Sequence, residues 1–485
     1  MSSAAAPARV RVAVVGAGIS GLVGAHRLRT LLGPDAAITV LEQRDRVGGV
    51  LRTVDLAGMP FDVGAEAFLA RRPEMGELLA ELGLTGQRVR PGPAVPALRA
   101  GGRTVGLPAG TVLGVPGRRA VLDRLLTPAG VAAVAAEPGR PLRWERESDP
   151  ALGPLLRDRF GAELADRLVD PLLGGVYAGR IDALGLRPTL PTLAAALDAG
   201  APSLTDAADA VVGMTTAGPA GPVFEALRDG YRVLLDALLA AASPRLRLAC
   251  TVRGLARRPP GWRLTLGPAR AATVLDVDAV LLAVPAPAAA RLLAGVAPVA
   301  AAAAARVQLA SSAVVALAFR GADVPHPPAG SGVLVATGEP LAVKGVTFSS
   351  TKWAHLGADG TVRLRASLGR FGEAASLQAD DDILVARVRA DLATLAGITA
   401  APVAMHVQRW GGGLPQYEPG HLERAGSMAG ELPVGVAVAG AALHGVGVPA
   451  CVGTARAAAA RLAAGLAALP SAPAQDGSME PWPAS

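Results

Sequence analysis

"RVAVVGAGISGLVGAHRL", residues 11–28, decides the reading of this 485-residue chain. An apolar strand runs into three glycines, Gly16, Gly18 and Gly21, and a helix follows. Glycine weakens an ordered element unless something must come close to the backbone. Here Gly16 allows a tight turn, Gly18 lets the backbone approach a pyrophosphate, and Gly21 lets helix and strand pack. Val10 to Val15 has the apolar, β-branched character of a buried parallel strand. Leu22, Ala25, Leu28 and Leu32 recur at helical spacing, and Gly33-Pro34 stops the helix. "AITVLE" then gives a second strand ending on Glu42, an acid placed for ribose hydroxyls. The pattern predicts a βαβ unit whose helix N-terminus faces phosphates.

Downstream, "LEQRDRVGGVLRT" brings Arg46, Gly48, Gly49 and Arg52 directly after that acid, and a second glycine pair implies a second close approach to one elongated ligand. "FDVGAEAFLARRPE" follows. From about Pro91 to Thr205 the chain is loop-rich, then helix-rich. "PVFEALRDGYRVLLDALLAAA" reads as an amphipathic helix, and "RLRLACTVRGLARRPPGWRLTL" as a hairpin around Pro259-Pro260-Gly261. "DVDAVLLAVPA" is a buried strand ended by Pro285. Residues 306–405 alternate short strands before a helix near 381–396. Near the C-terminus, "LPVGVAVAGAALHGVGVPACVGTARAAAARLAAGL" reads as strand, glycine-rich turn and helix, a second helix N-terminus able to stabilise negative charge. His444 lies in that turn, where a solvent-facing role is at least as plausible as a catalytic one.

The balance of charge is +7, with two lysines, Lys344 and Lys352, against 45 arginines. The arginines are scattered and form no long basic run, which argues against nucleic acid. With the abundant alanine, glycine and proline they indicate a GC-rich coding bias, although a basic surface still attracts small polyanions. Two cysteines, Cys250 and Cys451, exclude a disulfide framework, and no histidine spacing suggests a metal site. The N-terminus carries no signal-peptide pattern, and no segment is apolar enough for a transmembrane helix. The expected location is the cytoplasm, and residues 470–485 read as a disordered tail.

The motifs "GAGISGL", "DRVGG", "FDVGAEAFLARRPE", "GGVYAGR", "VQRWGGGLPQY" and "ALHGVGVPACVGTARAAA" resemble, in order, the FAD-dependent coproporphyrinogen III and protoporphyrinogen oxidase family of the flavin amine oxidase group. The resemblance is strongest to its soluble Gram-positive branch. It covers nearly the whole chain. It implies an α/β fold: a discontinuous Rossmann-like FAD-binding domain, a mixed-sheet substrate domain and a helical subdomain. The expected segments are 9–90 (FAD), 91–205 (substrate-domain loops and helices), 206–300 (FAD), 301–405 (substrate) and 406–469 (FAD).

The resemblance further implies non-covalent FAD held by Gly16, Ala17, Gly18, Ile19, Ser20, Gly21, Glu42, Gln43, Gly49, Val50, Gly64, Ala65, Glu66, Ala67, Val252, Trp410, Val446, Gly447 and Val448. It implies a porphyrinogen substrate, molecular oxygen as acceptor, and the next haem-pathway enzyme as a partner. Arg71, Arg72 and Arg99 are candidates for the substrate's propionates, and Tyr177 for packing on the macrocycle. Arg180 stands where relatives often have an acid, and Pro96 where some have an arginine. No acid or base is required for flavin hydride chemistry. A flavin amine oxidase, or a nucleotide-fold protein without catalysis, are the alternatives. The first needs aromatics that this chain lacks, and the second does not need Glu42, both glycine turns and Trp410.

Overall fold

In a computed structural model, which describes residues 9–216 and 221–468, the first strand occupies the middle of a five-stranded parallel sheet. Its order is Arg245–Arg247, Ala37–Leu41, Arg11–Val15, Ala279–Leu282, Val436–Val438. Alternation along Arg11–Val15 serves both faces. Val12 and Val14 pack under the helices Ile19–Leu32 and Val448–Ala467, while Ala13 and Val15 face a core shared with Trp262 and Leu264. A three-stranded antiparallel sheet, Val252–Arg258, Gly261–Leu266 and Thr273–Val277, covers that second face. The expected hairpin and the buried strand before Pro285 are both present. So is the helix after Gly21, which ends with Gly33 at φ 80°.

A mixed seven-stranded sheet forms the second layer system. Its order is Ala404–Pro415, Leu309–Arg320, Thr361–Leu368, Val343–Thr347, Gly332–Val335, Pro96–Ala100, Arg103–Gly106. One face packs on the helix Asp381–Ala396. The other is covered partly by the hairpin Thr53–Leu56/Met59–Asp62 and partly by a helical unit within 128–216. That unit is organised around a buried carboxylate. Glu137 accepts from Arg159 Nε and Nη2 at 2.9 and 2.7 Å, and from Leu204 N, Thr205 N and Thr205 Oγ1.

Several expectations shift. The segment 91–205 contains two strands, Pro96–Ala100 and Arg103–Gly106, that join the seven-stranded sheet. The boundary expected at 405/406 falls inside the strand Ala404–Pro415. Leu204, Ala207 and Ala208 belong to the core of the helical unit, so the second segment of the parallel-sheet domain begins later than 206. The helix expected from Pro222 begins only at Arg232. Phe224–Leu227 is a strand between two short partners, and Gly230, at φ 74°, turns the chain between the two elements. The predicted tail lies outside the described residues.

Removing one member of a buried ion pair leaves the other charge uncompensated, at a cost of about 3–5 kcal/mol. Glu137→Ala therefore loosens the helical unit. Urea denaturation should show a loss of that size, and limited proteolysis should cut first within 128–216.

Candidate functional site

The two glycine turns meet backbone to backbone. Gly48 N donates to Ala17 O at 2.8 Å, and Gly18 and Gly48 form a parallel bridge. A Cβ on Gly49, at φ 59°, would lie 3.1 Å from the Gly18 Cα. Each glycine of the first turn has its own reason. Gly16, at φ 100°, has no room beside Ala283 O, 2.4 Å from an added Cβ. A Cβ on Gly21 would lie 1.8 Å from Gly16 O. Around Gly18 there is space, the nearest atom being Gly49 Cα at 3.8 Å, and its backbone is extended at φ −73°. Gly24, not singled out in the sequence, packs against Leu281, 2.2 Å from an added Cβ.

The expected cofactor residues gather along one line. Glu42 is buried; its Oε2 accepts from Ala17 N at 2.8 Å and its Oε1 from Arg44 N at 2.9 Å. Its carboxylate thus ties the glycine turn to the end of the second strand. Cys250 N donates to Glu42 O, which brings the bulged start of the hairpin, at Val252, to the same end of the crevice. At the other end, Val50 is exposed, and Gly413 and Gly64 back onto it. Gly64 is a packing glycine: an added Cβ would lie 1.9 Å from Val50 O. Gln43 is exposed, and Ile19 and Ser20 are buried in the first helical turn. Ser20 Oγ donates to Cys451 O at 3.4 Å, so the starts of the first and last helices adjoin. Neither helix has a side-chain cap at its N-terminus, where Gly18 and Gly447 stand. Two uncapped helix starts side by side suit an anionic ligand.

The segment 62–67 is braced by Arg365, which the sequence reading missed, and by Trp410. Arg365 donates to Asp62 O at 3.0 Å and Gly64 O at 2.7 Å, and Trp410 Nε1 donates to Val63 O at 3.0 Å. Trp410 is buried among Leu56, Phe61 and Val63, with Arg46 over its ring at 5.8 Å. It therefore supports this segment as a core residue. Glu66 accepts from Trp353 Nε1 at 2.8 Å and pairs with Lys352 at 3.2 Å. Burial works to raise its carboxyl, but Lys352 and Arg365 outweigh that and hold it below the usual carboxylate range. Its charge is thus spent on a structural cluster. Ala65 and Ala67 pack against the two neighbouring cores. Asp62 accepts from Thr53 Oγ1 and Tyr231 N, and burial pushes its carboxyl up to about 7. The signal for the braces was two arginines alternating with leucines in "VRLRASL", an inward-facing polar row.

The turn before the last helix is held by an aromatic stack. Tyr417 OH donates to Ala441 O at 2.6 Å and accepts from Gly445 N at 2.7 Å. His421 stacks on Tyr417 at 3.8 Å, and its Nε2 lies 3.2 Å from Leu443 O. His444 is exposed and takes no part in this stack. Val446 is partly buried against the helical unit, and Val448 is buried in the parallel-sheet core.

The substrate candidates separate. Arg71 is exposed, and Arg72 pairs with Glu74 at 2.5 Å. Arg99 pairs with Glu339 at 3.3 Å. It alternates with Leu98 and Ala100, which face the helical unit, so its side chain leaves from the other face of the strand. Tyr177 is buried in the core of the helical unit, tilted against Tyr417 at 5.4 Å.

A family model described as flavin containing amine oxidoreductase matches residues 19–463. The chain belongs to that family. It is 47% identical, over 91% of its length and 96% of the relative's, to a coproporphyrinogen III oxidase of Mycobacterium leprae. It is 28% identical to the Bacillus subtilis protein of that name, over 92% and 96% of the two chains. Among solved structures it superposes with TM-score 0.82 on a protein from Exiguobacterium, provisionally assigned as a protoporphyrinogen oxidase, at 29% identity over 94% and 99% of the chains. Cyclohexylamine oxidase from Brevibacterium oxydans shares the fold, with TM-score 0.70 at 16% identity over 95% and 100% of the chains. In this flavin-containing family the crevice fits FAD. The open space at Gly18 and the paired, uncapped helix starts match a pyrophosphate.

Two expectations follow from this geometry. Gly21→Ala overpacks the turn at a cost of at least about 3 kcal/mol, and the protein should be recovered largely unfolded. Gly18→Ala should fold with a near-normal melting temperature but lose at least tenfold in flavin affinity, read from the flavin absorbance of the purified protein.

A third concerns acid stability. Burial lowers the His421 imidazole to about 4, against 6.5 for a free one. Folding then excludes a proton that the unfolded chain binds. The stabilisation is full above pH 6.5 and is lost as pH falls toward 4, up to about 3 kcal/mol. Asp62 acts in the opposite sense over an overlapping window, so the readout is a difference. The pH dependence of unfolding free energy from 6.5 to 4.5 should flatten in His421→Gln relative to wild type.

Proposed function

We propose that this protein oxidises coproporphyrinogen III to coproporphyrin III in haem biosynthesis, using FAD and molecular oxygen. The observation that carries the proposal is the 47% identity to the Mycobacterium leprae coproporphyrinogen III oxidase across nearly both chains. In this reading the five-stranded sheet is the FAD domain, and the seven-stranded sheet with the helical unit holds the substrate. When bound, the flavin accepts hydride from the meso carbons of the porphyrinogen, and oxygen takes the electrons on to peroxide.

The chain's own residues position and enclose. The glycine turns receive the pyrophosphate, and Arg365, Trp410 and the Glu66 cluster fix the backbone of 62–67 beside the ring system. The Tyr417–His421 stack fixes the turn that presents the start of the last helix to it. Protons from pyrrole nitrogens need no dedicated base, because tautomerisation of the aromatising macrocycle moves them. Arg71, exposed just before the helix Pro73–Glu81, remains a candidate for a propionate at the mouth of the cleft. Among the described residues no helix is long and apolar enough to cross a membrane.

FAD is held without a covalent link in this proposal. Both cysteines are buried, and burial pushes the Cys451 thiol up to about 11, where it is a poor nucleophile. Heat precipitation should leave yellow flavin in the supernatant; flavin retained on the pellet overturns this part. Protoporphyrinogen IX is the second reading, favoured by the Exiguobacterium structure. Coproporphyrinogen carries four propionates against two. A charge-assisted hydrogen bond contributes about 1.5–3 kcal/mol, so one additional surviving contact gives a preference of about tenfold or more. The expected result is a kcat/KM ratio of at least that size for coproporphyrinogen, measured by porphyrin fluorescence. A preference for protoporphyrinogen sinks the substrate proposal and leaves the flavin chemistry standing.

A further inference from the structure

Lys344 is the extra residue of a bulge in the strand Val343–Thr347, where the register against Thr361–Leu368 shifts between Val343 and Gly345. It is only 8% exposed. Among the described residues its ammonium has neither a hydrogen-bond nor an ion-pair partner; the charges that act on it are those of Arg370, Glu373 and Arg365. It lines a polar cavity of about 140 Å³ with Arg180, Thr337, Glu339, Arg370 and Glu373. The acids of this cavity are already committed. Glu339 pairs with Arg99, and Glu373 with Arg180. Behind the wall, Asp170 pairs with Arg370 at 3.3 Å and accepts from Ile181 N at 3.0 Å and from Thr337 Oγ1. Three cations therefore line the cavity, and Lys344 is left without a counter-ion among the described residues. Its ammonium faces this cavity, where an anionic group can pair with it in place of water. Burial, with Arg370 and Arg365, holds its amine down at about 8.

Gly345 pairs with Ser367, and Thr347 with Arg365, so the strand that carries Lys344 runs beside the strand that carries Arg365. The strand bearing Lys344 is three strand spacings from the strand bearing Trp410, about 14 Å. The first two glycines of "GGVYAGR", Gly174 and Gly175, let the helical unit approach Arg370 and Leu334 closely. A Cβ on Gly174 would lie 3.0 Å from Arg370 Nη1, and one on Gly175 would lie 3.5 Å from Leu334 Cδ2.

We propose that Lys344, flanked by Arg370 and Arg180, receives a propionate carboxylate of the substrate. This rests on the porphyrinogen reading above. It replaces Arg99, which is already paired with Glu339 of the same cavity, as the residue that senses substrate charge. Arg180, standing where relatives often carry an acid, adds to the positive field of the cavity.

The test uses the flavin-loaded protein and two probes, coproporphyrin III and its tetramethyl ester, titrated by fluorescence quenching. Lys344→Met should weaken binding of the acid at least tenfold and leave the ester unchanged. Lys344→Arg should stay within threefold of wild type. Flavin content should be equal in all three, and ligand-free Lys344→Met should melt at or above the wild-type temperature, because an unpaired buried charge has been removed. Equal affinity of wild type and Lys344→Met for the acid overturns the assignment. So does an equal loss for acid and ester, or a lowered melting temperature without selective loss of the acid, since either marks a structural lysine. A wild-type protein that binds and oxidises no porphyrin or porphyrinogen removes the substrate reading itself, a result distinct from all of these.

Discussion

The contact between Gly18 and Gly49 is one that a side chain on Gly49 would crowd. Two turns from different parts of the sequence touch through their α-carbons, and the hydrogen bond from Gly48 N to Ala17 O locks them. Everything that positions the cofactor crevice is referred to this point. The first helix starts from it, Glu42 ties it to the second strand, and the last helix reaches it through Ser20. Because the contact is backbone on backbone, its geometry owes nothing to rotamers. That rigidity is what a site needs when it must hold a ring system to within a fraction of an ångström of its substrate.

The second constraint is the use of arginine inside the molecule. The arginine excess, which reads as coding bias in the sequence, is put to structural use. Arg363, fully buried, donates to Leu56 O, Leu356 O and Ala57 O and pairs with Asp359. Arg29 gathers the carbonyls of Gly33, Pro34, Ala36 and Ala242. Arg159 does the same around Glu137. The planar fork of the guanidinium lets one side chain satisfy several chain ends at once, which a lysine cannot do. In a protein with few aromatics, these forks take over part of the task of joining layers.

The first βαβ unit, the two glycine turns and the C-terminal strand–turn–helix were legible because each is a local pattern whose spacing carries its meaning. The seven-stranded sheet was legible only in pieces. Its strands come from positions 96 to 415, and no local periodicity records which of them pair. Pro96–Ala100 passed for loop because its flanking prolines and glycines hide a four-residue parallel pairing with Gly332–Val335. Phe224–Leu227 was absorbed into a helix because its apolar spacing continues that of the helix after it. Glu66 and Trp410 stood out in their motifs, but the partners that occupy them, Lys352, Trp353 and Val63 O, are distant in sequence. Lys344 was noticed only as one of two lysines, because burial and the lack of a counter-ion are properties of the fold alone.

The parallel sheet has a further consequence for how the chain is made. The strand Arg11–Val15 pairs with Ala279–Leu282, and that strand pairs with Val436–Val438. A nascent chain thus carries an unpaired, wholly apolar sheet edge until almost all of the protein has left the ribosome. The helix Val448–Ala467, which covers one face of that sheet, emerges after Val436–Val438. Folding of this domain is therefore gated by synthesis of the final elements, with high contact order and a long-lived exposed edge. The same topology that builds the crevice thus makes completion of the parallel sheet wait for Val436–Val438.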